Sequence, residues 1–381
     1  MQQSRGAGGR PQRTRTALVA SELAGSLMLL VVAGLFLRSL VAAQHLDLGF
    51  SPGQVLNLTL DPHQIGMGPA ARVQFHDALL QRVRRLPGVS SASLAGSAPF
   101  DGVNDGAEIR LPGQGLAPHD ASASAGVNIV TPEYLPTMGI PLLRGRAFTD
   151  ADAAGSARVG LINQAMASRF WPHQDAVGQF FALSDHPNAP IQVIGIAANS
   201  RTGSISDSIG PYFYLPLAQW PLDSLYADAM NPLSQEVLQV RTQGAPMALS
   251  PAVEAVIHGL APRMPVLEVE PMAALLDSLN GLALFRLGAL LAGILGALGL
   301  LLAGIGVFGV VAYAASQRTH EIGVRVALGA RRSQVLALVL RQALWMLALG
   351  LALGLLLAAA ASLAVNNLLI GVSGRDPVTY L

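Results

Sequence analysis

Three long runs of the chain are almost free of polar positions. Leu287–Ala315 and Ala343–Ile370 hold no charged residue, and Ala17–Leu37 holds one, Glu22, near its start. A helix of about 20 apolar residues crosses the roughly 30 Å of bilayer hydrocarbon, so each run is predicted to span a membrane. The second and third exceed that length, which predicts tilt or continuation past the bilayer. After the first run, 38–47 still reads as helix but turns amphipathic, with Arg38, Gln44, His45 and Asp47. Before the second, 271–286 starts with Pro271 and meets no breaker. Gly281 is tolerated inside such a helix at about 1 kcal/mol. Both flanks are predicted stalk helices, the second continuous from Pro271 to Ala315.

Between 48 and 270 the pattern becomes that of a mixed α/β domain. "QVLNLTLD" (54–61) alternates as a strand does, and a helix follows over 69–86 with Pro69 at its start. A turn and a small-residue strand fill 87–97. Later, 191–199, 212–217 and 236–242 read as strands, 247–261 as helix and 265–271 as strand. An early β-α-β unit and a late one, about 90 residues apart by this reading, predict one split subdomain. A second α/β subdomain is expected as an insert at about 98–190, opening with loop over 98–126. Residues 1–16, rich in Gly, Gln and Arg, read as disordered.

Composition narrows the class. The 381 residues are 51% hydrophobic and only 12% charged, with mean hydropathy +0.45, against about 25% charged in soluble domains. Cysteine is absent, so disulfides and thiolate metal sites are excluded. Lysine is absent as well, which excludes a phosphate-binding P-loop and Schiff-base chemistry. A net charge of +1 carries no signature of nucleic-acid binding, and no cofactor is expected. Arginine placement predicts the topology. Arg5, Arg10, Arg13 and Arg15 precede the first span, and Arg318, Arg325, Arg331, Arg332 and Arg341 lie between the second and third against one acid, Glu321. Both segments are therefore expected in the cytoplasm, and 48–270 outside. "VAAQ" (41–44) resembles a signal-peptidase site, but the long apolar core and the intervening Arg38 favour a retained span.

The loop 316–341 reads as structured. Arg318, Glu321 and Arg325 are spaced to pair along one helix face, Gly329 fits a helix stop, and Ser333 fits the cap of the next helix. A short basic helix at the cytoplasmic surface binds anionic lipid headgroups, or docks in a partner's groove with Ile322 and Val326 as apolar knobs. The plainest alternative is a positive-inside loop without a partner.

These residues resemble a family. "QRTHEIGVRVALGARRSQVLALVLRQ" (317–342) is similar to the signature of MacB/FtsX-type ABC transporter permeases, with Glu321, Ile322, Gly323, Arg325, Ala327, Gly329 and Ala330 matching. Stretches 134–152, 161–172 and 376–380 also resemble this family, and 17–40 resembles the second half of its duplicated orphan permeases. The resemblance implies an α-helical membrane protein with an extracytoplasmic α/β domain, a porter-like split β-α-β subdomain carrying the insert. It implies a bacterial inner-membrane location and a coupling helix at about 318–328 that contacts a separate cytoplasmic ABC ATPase. Arg318, Glu321, Ile322, Gly323, Arg325, Val326, Gly329 and Ala330 are the ATPase-coupling candidates. A second permease half or protomer, membrane lipids and a periplasmic or outer-membrane partner complete the expected contacts. The family has four spans. Here 371–381 reads as an external tail leading to a fourth, so the chain reads as truncated or as half of a duplicated permease.

With no nucleotide-binding motif, the chain is expected to transmit work done elsewhere and not to be an enzyme. Two rivals stand beside that reading. A membrane-anchored periplasmic enzyme would need a site, yet His45, His63, His76, His119, His173, His186 and His258 are scattered as surface residues are, and no G-x-S-x-G occurs. A three-span sensor or adhesion module would not need the coupling signature. Gly350-x-x-x-Gly354 fits a close helix contact or ordinary Gly/Ala-rich membrane composition. Glu22 lies within a span, where ionisable groups are functional by default, or among headgroups at its cytoplasmic end. Trp171 and 134–148 read as core of the insert.

Overall fold

The computed structural model describes residues 10–101, 106–111, 124–220, 235–278, 280–317 and 332–365. It divides into two compact units, Met1–Leu46 with Leu284–Leu381, and Asp47–Ala283.

The first unit is helical: α1 (Arg10–Gln44), most of α7 (Ala283–Gln317) and α8 (Arg332–Val365). Each contains a stretch long and apolar enough to cross a membrane: Ala17–Gln44, Ala283–Tyr313 and Leu344–Ala364. α1 runs unbroken through the predicted stalk to Gln44. Its start at Arg10 falls inside the segment expected to be disordered. Arginine is a good helix former, and Pro11 sits in the first turn, where its missing N–H is no loss. Val19, Val310 and Met346 form one buried cluster between the three helices; Val31, Leu35 and Ala358 form another.

The second unit is the α/β domain. Its first core joins β1 (Val55–Leu60), α2 (Pro69–Val83), β2 (Val89–Ala95), β10 (Glu236–Thr242), α5 (Ser250–Leu260) and β11 (Val266–Pro271). Spatial order is β11-β1-β10-β2, antiparallel throughout, which is the split β-α-β arrangement. Period-two alternation puts Leu56, Leu58 and Leu60 on one face of β1, in one core with Leu79 and Val83 of α2 and Val253 and Ile257 of α5. At the edge of this core, His76 Nε2 lies 2.5 Å from Glu236 Oε2, and Arg72 Nε lies 3.6 Å from Oε1. His76 is thus a buried anchor between α2 and β10, not the surface residue its isolated position suggested. Its partner is 160 residues away in sequence, so no local motif announces it.

The second core uses β3 (Gly106–Arg110), β4 (Ser124–Val130), α3 (Tyr134–Met138), β5 (Leu142–Gly145), β6 (Val159–Asn163), α4 (Gln164–Phe170), β7 (Phe180–Leu183), β8 (Ile191–Ala197) and β9 (Tyr212–Pro216). The hydrogen-bonded path β4-β3-β7-β8-β6-β9 returns to β4, so these strands close on themselves around Phe181, Phe213, Ile162 and Val193. This corrects the predicted insert. Its core extends to Trp220, past 190, because β8 pairs with β5, β6 and β7, and β9 with β4 and β6. The 98–126 stretch, expected to be loop, contains β3 and the start of β4.

The continuous stalk from Pro271 is also corrected. After β11 comes one helical turn, α6 (Met272–Leu275), then non-helical turns at 276–278 and 280–282 before α7 begins at Ala283. Gly281 N donates to Ser278 O at 3.1 Å and Leu282 N to Leu276 O at 2.6 Å, and a Cβ on Gly281 would overlap the Leu276 carbonyl. A continuous helix would gain about 1 kcal/mol from Gly281→Ala. The observed turn predicts the opposite sign, a loss of about 1–3 kcal/mol from overpacking, read as a lowered melting temperature of the full chain.

Candidate functional site

The coupling candidates Arg318, Glu321, Ile322, Gly323, Arg325, Val326, Gly329 and Ala330 lie outside the described residues. Their place in the chain is nonetheless bracketed: α7 ends at Gln317 and α8 begins at Arg332.

The seam that joins the flanking helices is visible. A Cβ on Gly350 would lie 2.6 Å from Leu23 Cδ2, and one on Gly354 would lie 3.1 Å from Ala24 Cα and 3.0 Å from Leu27 Cβ. α8 therefore lies in close contact with α1 at both glycines. Residue numbers rise together along this contact, so α1 and α8 run parallel. Along α7, Gly288 lies under Phe36, Gly296 against Leu30 and Gly306 against Val19. The order reverses, so α1 and α7 run antiparallel. Small residues let backbones approach where lipid offers no hydrophobic drive to associate. Gly350→Leu and Gly354→Leu are expected to loosen α8 from α1 by about 2 kcal/mol each, within the usual range for overpacking. Gly304→Leu, with nothing within 4 Å of a Cβ, is the neutral control. Thermal aggregation of the detergent-solubilised variants reads the difference.

Within the α/β domain, the loop between β8 and β9 touches both ends of the domain's own chain. Arg201 N donates to Leu48 O at 2.9 Å, and Ile205 N donates to Asn280 O at 2.8 Å. Ser204 Oγ also donates to Asn280 O, at 3.2 Å. Gly49, at φ +74°, packs so closely on the Asn199 carbonyl that a Cβ has no room. One loop thus holds the segment that follows α1 in sequence and the turn that precedes α7. Beside it opens a cleft of about 260 Å3, walled by Ser97–Pro99, Gly106, Gly126, Asn128, 200–204 and 207–212. Tyr214 behind it is pushed up to about 12 by burial, partly offset by its hydrogen bond with Ser200, so it stays a neutral hydroxyl. On the β1–β11 side a second cleft of about 340 Å3 presents Glu268 and Glu270. Burial, and then Glu268, raises the Glu270 carboxyl above its ordinary range.

Residues 24–259 match the family model of the MacB-like periplasmic core domain, and 293–378 match that of the FtsX-like permease C-terminal region. The chain belongs to the MacB/FtsX-type ABC transporter permeases. Among curated relatives it is 27% identical over 223 residues to the uncharacterized ABC transporter permease YknZ of Bacillus subtilis, covering 57% of this chain and 52% of that protein. It is 28% identical over 213 residues to the macrolide export ATP-binding/permease protein MacB of Azoarcus sp., covering 55% of this chain and 31% of the relative. The chain thus spans about half or less of the length of these relatives. The periplasmic region of MacB from Actinobacillus actinomycetemcomitans superposes with TM-score 0.38 at 11% identity, over 59% of this chain and 92% of that one. As a MacB/FtsX-type permease, the chain is a membrane protein with an extracytoplasmic domain. Sequence reasoning missed the 199–207 loop, whose only signal was a run of Ser, Gly and Asp between two strands.

Proposed function

We propose that this permease transmits ATPase-driven motion from a cytoplasmic coupling helix at 318–328 to its extracytoplasmic domain. In this reading the N-terminus and the 316–341 loop are cytoplasmic and 48–270 is periplasmic. α1 and α7 then cross in opposite directions, and α8 crosses as α1 does, in keeping with their observed antiparallel and parallel packing. The observation that carries the reading is α7 itself. It is one helix from Ala283, the last residue of the α/β unit, to Gln317, the residue before the coupling stretch. Displacement at its cytoplasmic end reaches the domain's exit turn without an intervening break. The motor is a separate ABC ATPase, the protomer pairs with a second permease half or copy, and the work is spent on extruding a substrate from the membrane or periplasm.

A sensor or adhesion module anchored by the same helices would need no ATPase. Tagged chain recovered from its native membrane separates the two: an ABC ATPase is expected to co-purify, and its absence contradicts the transmission reading.

A further inference from the structure

The sheet of the first core has two unlike faces. Leu56, Leu58 and Leu60 of β1 pack with the helices, so Asn57 and Thr59 point the other way. On that side Asn57 stands opposite Glu270 of β11, and Thr59 opposite Glu268, which puts each pair on one face of the sheet. Here the cleft of about 340 Å3 opens. Its charge is of one sign: Glu268, Glu270 and Asp101 line it, and no arginine or histidine does so among the described residues. Asp101 is engaged, its Oδ2 accepting from Ala98 N at 2.7 Å. Glu268 is exposed and Glu270 half-buried, and neither carboxylate is hydrogen-bonded or ion-paired among the described residues. Burial, and then the Glu268 charge beside it, raises the Glu270 carboxyl, as befits an acid without a countercharge. The floor adds an unused acceptor. Asn57 is 3% exposed, its Nδ2 donates to Met272 Sδ at 3.6 Å, and its Oδ1 accepts from nothing. Two open carboxylates over an unpaired amide oxygen call for a cation that donates hydrogen bonds.

A divalent metal ion does not fit. It needs oxygens converging to about 2–2.6 Å, and no three carboxylates or imidazoles among the described residues are gathered as such a site requires. Glu268 and Glu270 lie two residues apart on one strand, about 6.5 Å, and Asp101 comes from another segment. Negative charge is therefore spread along the cleft, which suits a chain carrying more than one ammonium group. The protein has no lysine, so neither it nor a second copy can supply an ammonium side chain. We propose that this cleft binds a small aliphatic diamine or polyamine, its ammonium groups held by Glu268 and Glu270 over Asn57. The site uses only residues of the α/β unit and stands without the transmission reading.

The test uses the full chain in nanodiscs of zwitterionic phosphatidylcholine, with butane-1,4-diamine as probe, ligand-observed NMR as readout and empty nanodiscs as blank. Saturable binding is expected, with none for the neutral butane-1,4-diol and no displacement by an equal concentration of Mg2+. Glu268→Gln, at an exposed position, is expected to weaken it at least fivefold, and Glu268→Gln with Glu270→Gln to abolish it. The melting temperature of the double variant is expected to match or exceed that of the parent, because the change removes a repulsion and no hydrogen bond. Glu254→Gln, an acid of α5 outside the cleft, is expected to leave binding unchanged. No saturable binding, binding of the diol, displacement by Mg2+, undiminished binding in Glu268→Gln or binding that survives the double variant overturns the site. Equal loss in Glu254→Gln overturns it too, since overall charge would then be the cause.

Discussion

Replacing Glu321 and Arg325 together by alanine is expected to reduce the ABC ATPase recovered with the chain at least tenfold. The two lie at i, i+4 spacing, where an exposed pair adds only about 0.3–0.5 kcal/mol to a helix. Their loss therefore does little to folding, since the membrane helices are held by their own seams. At a docked and desolvated interface the arithmetic differs. Truncating a hydrogen-bonded charge there costs about 2–5 kcal/mol, and each 1.4 kcal/mol is a factor of ten in affinity. Arg331→Ala, which removes a positive-inside charge from the same loop, is the contrast. If charge on the cytoplasmic side were the whole role of the stretch, both variants would behave alike. The proposal expects the ATPase to stay with Arg331→Ala and to leave with the double variant.

Gly49→Ala is expected to destabilise the α/β domain by about 3–5 kcal/mol. Two costs add. A left-handed φ costs a residue with a Cβ about 1–2 kcal/mol, and Gly49 sits at φ +74°. The new methyl group also overlaps the Asn199 carbonyl, so backbone, not a flexible side-chain end, must move. Gly66 isolates the first cost: its φ is +65° and nothing lies within 4 Å of a Cβ. Gly66→Ala should therefore lose only about 1 kcal/mol. At roughly 2–4 °C per kcal/mol for a domain of this size, Gly49→Ala melts about 10 °C lower and Gly66→Ala within about 4 °C of the parent. Equal shifts would mean that the 199–207 loop does not press on the segment after α1.

How legible all this was in the sequence differs by element. The three membrane-length helices needed only their unbroken apolar length, and β1 needed only Leu56, Leu58 and Leu60 in alternation. Both β-α-β units were readable because each is local in sequence. The boundary of the insert was not. β8 and β9 are short and buried on nearly all positions, so nothing in their pattern says which core they join; long-range pairings decide it. The break at Gly281 was hidden because isolated glycine is tolerable in a helix, and only the close approach of the Leu276 carbonyl marks it as a turn. Gly350 and Gly354 stood out as a spacing whose meaning depended on the neighbour, and Leu23, Ala24 and Leu27 of α1 supply that neighbour. The coupling candidates carry their meaning in the family signature alone, and the helices on either side only bracket their place in the chain.

Transmission itself is tested most directly by hydrogen exchange on the chain together with its co-purified ATPase, compared between nucleotide-free and ATP-loaded states. If motion at 318–328 travels along α7, exchange in 276–282 and 199–207 changes at least threefold on ATP loading, and the change disappears in the Glu321→Ala, Arg325→Ala double variant. Exchange in both segments that is indifferent to ATP, with the ATPase bound and turning over, would contradict the account.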